Sequence, residues 1–330
     1  MSGFEGGGGP VGRVGAVAPD AVAEPYVDRV ARTGPDRVAM PDPIAAPPPA
    51  HPTVGRSYRG LRTAAWYGLL TVLSVVVLFP VYMALVRALS APVAWFQAGS
   101  PLYPVHVQWG IFGHAWSQGA GLAGPMFRSA MATLLITGAQ LLTSVLAAYT
   151  FAFLDFPLKK VVFGLFMATL LLPIEVTLVA NVETMRTLGW TSTYQGLVLP
   201  FVATAFGTFL IRQGFLGIPG EVRDATKLDG FGHLRFLFRF AVPLTRPVIA
   251  SFTVISFLGA WNQYLWPRAV VDKEAFNTLQ IAIRGLADSN PQTANVGPAA
   301  ALIAALPIVV LLILFQRQII RGLTAGAVKG

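Results

Sequence analysis

The sequence predicts an all-α membrane protein with six transmembrane helices, and three observations carry that prediction. The first is composition. Of 330 residues, 54% are hydrophobic and 12% charged, with a mean hydropathy of +0.61, whereas an average soluble domain is roughly 25% charged. The second is spacing: charge-free runs recur at close to the ~20 residues that a bilayer-crossing helix needs. The third is placement, because the Lys and Arg residues behind the formal charge of +9 fall at the ends of those runs. A positive balance spread in this way points to a membrane surface and away from nucleic acid. Cysteine is absent, which excludes disulfides, zinc-thiolate clusters and thiol catalysis.

Residues 1 to about 60 hold Gly6 to Gly9, a Pro- and Ala-rich stretch (PDPIAAPPPAHP) and no apolar run long enough for a signal-peptide core. They predict a disordered cytoplasmic arm ahead of a membrane domain over residues 61–330. Trp66 to Val86, Ser129 to Leu154, Tyr194 to Ile211, Val248 to Pro267 and Ala294 to Phe315 contain no charge, and Val161 to Val182 is interrupted only by Glu175. Arg56, Arg59 and Arg62 precede the first run, Lys159 and Lys160 separate the second from the third, and Arg317, Arg321 and Lys329 follow the last. Cytoplasmic loops collect Lys and Arg, so these places, the 217–247 segment and both termini are expected inside. Arg87, Arg128 and Arg186 border the opposite loops, and Arg128 runs against the rule. No internal repeat relates the two halves, which weakens an inverted-repeat secondary transporter.

The longest charged stretch, Glu221 to Pro247, thus lies between two apolar runs. Pro219 suits a helix start, Glu221 and Asp224 favour the positive dipole end, and Val222, Ala225 and Leu228 recur at helical spacing. A short amphipathic helix is expected, stopped at Gly230. A second follows, with Phe231, Leu234, Leu237, Phe238 and Phe240 interleaved with Arg235 and Arg239, and ends at Pro243. Physics alone allows such a pair to lie on anionic lipid.

The order of residues says more. Asp224-Ala225-Thr226, three residues, Gly230, nine residues, Phe240, one residue and Val242-Pro243 resembles the EAA loop of ABC importer membrane subunits, whose pattern is Glu-Ala-Ala, x3, Gly, x9, Ile, x, Leu, Pro. The central alanine, the glycine and the proline match; Asp for Glu, Thr for Ala, Phe for Ile and Val for Leu depart from it with the spacing intact. The stretches GTFLIRQGF (from Gly207), WNQYLWP (from Trp261) and RGLTAGAVKG (the C terminus) resemble carbohydrate-type permease subunits. LLPIEV (from Leu171), IRQ (from Ile211) and WNQYLWP together are most similar to the second permease subunit of sn-glycerol-3-phosphate importers. The resemblance covers roughly residues 60–330.

It implies the type I ABC importer permease (MetI-like) fold in a bacterial inner membrane, and a non-catalytic subunit. Its ATPase-coupling residues are then Glu221, Asp224, Ala225, Thr226, Leu228, Asp229, Gly230 and Pro243. The implied partners are a second permease subunit in a heterodimer, two ATP-binding cassette subunits that hold ATP and Mg, an extracytoplasmic substrate-binding protein and membrane lipid. No cofactor is expected in the chain itself, which has no G-x-x-x-x-G-K-[ST] phosphate loop. The implied cargo is sn-glycerol-3-phosphate or a glycerophosphodiester, with a di- or oligosaccharide of the maltose or trehalose type as the alternative.

Glu175 is the one charge deep in a predicted span, about 21 Å from the start of its helix at Val161 at 1.5 Å per residue. Asn262 and Gln263, counted from Val248, reach about 21 Å as well. These three are the substrate-path candidates; the alternative is interhelical hydrogen bonding, or a Glu175 carboxylate freed by a kink at Pro173. Arg212 is read as a snorkelling side chain. Trp190, Trp261, Tyr264 and Trp266 are expected in an interfacial aromatic belt, and Pro173, Pro200 and Pro307 at helix kinks. His51, His106, His114 and His233 show no metal-ligand spacing. An intramembrane enzyme needs an acid, a base and a nucleophile together in the spans, and an ion-coupled carrier needs more intramembrane charge; both classes fit less well than an importer subunit.

Overall fold

The computed structural model describes residues 56–118, 121–287 and 291–324. Most of the expected arm over residues 1–60 and the last six residues of the chain lie outside the described residues. The chain divides into a unit over residues 1–66, whose described part is helical, and a unit over residues 67–330. Among the described residues the regular structure is all helical.

Three helices are long and apolar enough to cross a membrane: Arg62–Leu89, Ala123–Phe153 and Val296–Gln318. Three bent pairs bring the number to six when each is counted as one span: Lys159–Leu171 with Glu175–Thr187, Tyr194–Phe201 with Ala205–Leu216, and His233–Leu244 with Arg246–Trp261. They serve below as the first to sixth spans in chain order.

Each bend has a local cause. In the third span the two halves meet at 97°, where Leu172 is extended (φ −85°, ψ 114°). The ring of Pro173 pushes its predecessor out of the helical region and offers no N–H. In the fourth, Pro200 sits in the 3₁₀ turn Leu199–Phe201 and Thr204 is extended, giving a 47° bend. In the fifth, the chain turns 82° at Thr245, whose hydroxyl donates to the carbonyl of Ala241 at 2.8 Å. Pro307, by contrast, is absorbed inside Val296–Thr324 without a break.

A break in apolar surroundings frees carbonyls that must find donors. Gln140 Nε2 donates to the carbonyl of Phe201 at 2.8 Å, and Thr143 Oγ1 to that of Val202 at 2.7 Å. The other end of the Gln140 amide accepts from Ser256 Oγ at 2.7 Å. One side chain of the second span therefore clamps the broken fourth span and the fifth. Helix packing follows the same lines, the second span lying against the fourth and fifth, and the fifth against the sixth.

The tryptophans correct the expectation of an aromatic belt. Trp261 and Trp266 are each only 3% exposed. Their indole N–H groups donate to the carbonyls of Ala304 and Gly196, at 3.2 and 3.0 Å. Buried indoles need a hydrogen-bond partner, and here the partner is backbone of the sixth and fourth spans, so these rings are core. Tyr264 is exposed, as a belt residue would be.

Two glycines sit at close approaches: a Cβ on Gly196 would run into the carbonyl of Trp190, and one on Gly207 into the ring of Phe252 and the hydroxyl of Ser144. Gly207→Val should cost ~1–3 kcal/mol through overpacking and lower the midpoint of thermal unfolding in detergent, followed by circular dichroism. Gly138→Ala, at a glycine with open space around it, should not lower it.

Candidate functional site

The charged stretch begins with the helix Gly220–Leu228, entered from Pro219, with Glu221 in its first turn and Lys227 in its last. Both charges suit the helix dipole. The end is a Schellman turn: the N–H of Gly230 bonds the carbonyl of Lys227 and that of Phe231 bonds the carbonyl of Thr226, both at 3.0 Å. Gly230 takes φ +73° there, a conformation that costs a side chain about 1–2 kcal/mol.

This short helix has two unlike faces. Thr226 is buried, and Val222 and Arg223 are half-buried against the rest of the protein. Glu221, Asp224, Ala225 and Leu228 are exposed, with Leu228 at 90%. Their i, i+3, i+4, i+7 spacing places them in one stripe. The apolar stripe Val222, Ala225, Leu228 expected from spacing is therefore split, and only Val222 turns inward. Thr226 replaces it because its hydroxyl is satisfied within the turn, donating to the carbonyl of Arg223 at 2.8 Å. The Nε of Arg223 is buried without a hydrogen-bond partner, 3.9 Å from Asp224 Oδ1. Asp229 caps the helix and is exposed.

The following segment, His233–Leu244, is helical but irregular: an α-turn over His233–Phe236, a π-turn over Leu237–Ala241, then Val242–Leu244. Phe236, Leu237 and Ala241 turn inward, while Leu234, Arg235, Phe238 and Arg239 stay exposed. Pro243 is half-buried just ahead of the 82° corner.

An aromatic joint fixes this segment to the bundle. Tyr149 OH lies 2.9 Å from His233 Nδ1. The rings of Tyr149, Phe153, Phe215 and Phe236 contact one another with centroids 5.2 to 6.5 Å apart. They belong to one core cluster with Val145, Ile211, Leu237 and Phe252. Between this joint and the helix Gly220–Leu228 lies a cavity of about 140 Å³, bounded by Tyr149, Phe153, Arg223, Thr226 and Phe231. Arg212 adds a further tie: its Nε donates to the carbonyl of Phe151 at 3.1 Å and its guanidinium lies 4.5 Å from the centre of the Phe163 ring.

The path candidates are placed differently from one another. Glu175 is exposed in the first turn of Ile174–Thr187, beside the Pro173 break. Asn262 caps Arg246–Trp261, and its amide donates back to the carbonyl of Leu258 at 3.0 Å. Gln263 is half-buried on a small cleft shared with Ser129, Ala132, Ile136, Leu197 and Thr278. Gln263 thus meets the second and fourth spans, whereas Asn262 is turned to its own helix. Among the described residues, no group of three His, Asp or Glu side chains is placed to hold a metal ion.

Sequence reasoning missed Tyr149, Phe215 and Phe236 as the seat of the charged segment, and Gln140 as the clamp. A polar tip inside an otherwise charge-free run (Tyr149, Gln140) is the signal that was available; the pairing with His233, 84 positions away, was not.

The model of the binding-protein-dependent transport system inner membrane component matches residues 140–324. The sn-glycerol-3-phosphate transport system permease protein UgpE of Yersinia pestis bv. Antiqua (strain Antiqua) is 35% identical over 254 residues, covering 75% of this chain and 90% of that protein. The protein of the same name from Rhizobium meliloti (strain 1021) is 33% identical over 257 residues, 76% of this chain and 91% of that one. Among solved structures, a chain of a bacterial ABC transporter involved in the import of the acidic polysaccharide alginate superposes with a TM-score of 0.71 at 20% identity, over 81% of this chain and 99% of that chain.

Tyr149→Phe removes the bond to His233 and keeps the rings. With a net worth of ~1 kcal/mol for such a bond, amide hydrogen exchange over residues 231–236 should quicken by about fivefold, read by mass spectrometry, while exchange in the second span stays unchanged.

Proposed function

Because this chain belongs to the binding-protein-dependent transport system inner membrane components, we propose that it is one permease half of an ABC importer whose cargo is sn-glycerol-3-phosphate or a glycerophosphodiester. It is a transport subunit without a catalytic role or a cofactor of its own. The cargo assignment rests on relatives named for sn-glycerol-3-phosphate over three quarters of the chain.

The observation that carries the mechanism is the exposed stripe of Glu221, Asp224, Ala225 and Leu228 on a helix whose other side is seated against the bundle. An exposed leucine ringed by carboxylates, held on a glycine-stopped helix, suits insertion into a cleft on a partner. In this reading the partner is one of two ATP-binding cassette subunits, which hold ATP and Mg on the cytoplasmic side. Closure of that pair on ATP moves the helix Gly220–Leu228. The aromatic joint at Tyr149, Phe215 and Phe236 passes the displacement to the second and fourth spans, and the Gln140 clamp passes it to the fifth. The helices then exchange an inward-open for an outward-open arrangement, a two-state element biased by a ligand bound elsewhere. Thr226, Asp229, Gly230 and Pro243 shape the handle: Thr226 seats it, Asp229 and Gly230 end its helix, and Pro243 leads into the corner.

The apolar residues exposed along the first span, Trp66 to Leu85, fit lipid and a second permease subunit. An extracytoplasmic binding protein delivers the cargo on the opposite side, both termini lie in the cytoplasm, and Glu175, Asn262 and Gln263 remain the proposed path residues.

Gly230→Pro tests the handle. Proline cannot reach φ +73° and lacks the N–H that Gly230 donates to Lys227. Uptake of labelled sn-glycerol-3-phosphate, in cells lacking the native gene and complemented with this variant, should fall to background although the protein inserts normally; Gly230→Ala, which keeps the N–H, should retain partial uptake. Normal transport by well-expressed Gly230→Pro would refute the handle. Uptake of a labelled disaccharide in place of sn-glycerol-3-phosphate, restored by the wild type, would replace the cargo and keep the importer.

A further inference from the structure

Three arginines line one cavity of the protein. A space of about 830 Å³ is lined by Arg128, Arg268 and Arg284, with Tyr264 and the carboxylates of Asp272 and Glu274 also on its wall. It is built from the start of the second span, the helix Leu265–Val270 and the helix Leu279–Ala287. Its wall is fixed in several places. Arg128 Nε donates to the carbonyl of Asn277 at 2.9 Å, and its guanidinium lies back over Gly124. The N–H groups of Asp272 and Lys273 both donate to Ser192 Oγ, at 2.9 and 3.0 Å. Arg268 and Arg284 are exposed, so their guanidinium groups are open to solvent and to a solute entering the cavity.

The position along the bundle matters. Arg128 and Tyr149 lie on one continuous helix, about 30 Å apart at 1.5 Å per residue, close to the thickness of a bilayer core. Tyr149 bonds the charged segment, so the cavity lies at the opposite end of the second span from the proposed ATPase handle. With that handle in the cytoplasm, the cavity opens on the outer side, where cargo arrives.

We infer that this cavity is a receiving site for a phosphate monoester, in which Arg128, Arg268 and Arg284 take the phosphoryl oxygens as cargo passes from the binding protein to the permease. The inference deepens the cargo reading above and rests on it. Guanidinium groups match phosphate by paired, charge-assisted N–H donors, and three of them outweigh the two carboxylates. The volume lies within the range of small-molecule sites and leaves room for the glyceryl portion or a diester head group. Tyr264 supplies a hydroxyl for the polyol part. A neutral sugar would accept hydrogen bonds from three cations but could not neutralise them, so the chemistry favours an anion.

The test is equilibrium binding of labelled sn-glycerol-3-phosphate to the assembled importer in lipid nanodiscs, without the binding protein. Saturable binding is expected that inorganic phosphate displaces and glycerol does not. R268Q/R284Q should weaken it by about tenfold or more, as loss of charge-assisted hydrogen bonds implies, and E274Q should strengthen it by about threefold as a repelling charge is removed. A gain on E274Q cannot arise from misfolding. No saturable binding, equal affinity in all three proteins, or displacement by glycerol and not phosphate would each overturn the inference. Uptake measured in parallel separates it from the cargo reading. If cells take up a disaccharide and not sn-glycerol-3-phosphate while the binding pattern holds, the cargo assignment falls and the phosphate site stands. If sn-glycerol-3-phosphate uptake is intact without such binding, the site falls and the cargo stands.

Discussion

The architecture depends on the donors that meet the carbonyls freed where its helices break. In hydrocarbon no water substitutes for a lost intrahelical bond, so a broken span is favoured where a neighbouring side chain can reach it. Gln140 and Thr143 do this for the fourth span, and they do it from the second, which is unbroken over Ala123–Phe153. Because the Gln140 amide also accepts from Ser256 on the fifth span, the repair of one break becomes a link among three helices. The straight second span is thus a mast to which the bent elements are tied. At one of its ends the ties are aromatic, at Tyr149 and Phe153; at the other they are polar, Arg128 to the carbonyl of Asn277 and Ser129 Oγ to the N–H of Leu279.

That arrangement explains how a small charged helix is fixed in place. The helix Gly220–Leu228 is too short to persist alone in water. It is held by its capping turn, by the seating of Thr226, and by the segment behind it, whose Phe236, Leu237 and Ala241 belong to the core cluster. Leu237 and Ala241, four apart, share one face of this segment and both meet the core. Arg235 and Arg239, likewise four apart, lie on the opposite, exposed face.

The sequence made the number and order of the apolar elements legible because the cost of charge in lipid leaves gaps that can be counted directly. It marked the break of the third span through Leu172-Pro173 and that of the fourth through Pro200, since proline acts locally. It did not reveal that Pro307 would be absorbed while Thr245 would turn by 82°; that depends on which neighbours supply donors. Trp261 and Trp266 were misjudged for a related reason. Tryptophan near a predicted helix end is ambiguous between interface and core, and only the carbonyls of Ala304 and Gly196 decide it. In the charged segment, Gly230 was readable because a left-handed position has few other occupants. The inward turn of Thr226 and the outward turn of Leu228 were not, because a nine-residue helix carries too few positions for spacing to outweigh a tertiary contact.

The arginines that run against the charge rule follow from the same logic of local partners. Arg87 and Arg128 border loops that the sequence places on the outer side; Arg87 lies 5.5 and 5.2 Å from the ring centres of Trp95 and Phe96, and Arg128 is bonded to Asn277. Such residues are anchored by protein and face protein or water, so the cost that drives the rule, exposure of a cation during insertion, is partly offset in the fold. Arg268 and Arg284 differ, because they stand exposed on a cavity wall whose carboxylates, Asp272 and Glu274, are fewer than its cations. A structural arginine is normally matched by a carbonyl, a carboxylate or a ring. An excess of cations around an open cavity is tolerated because water weakens their mutual repulsion.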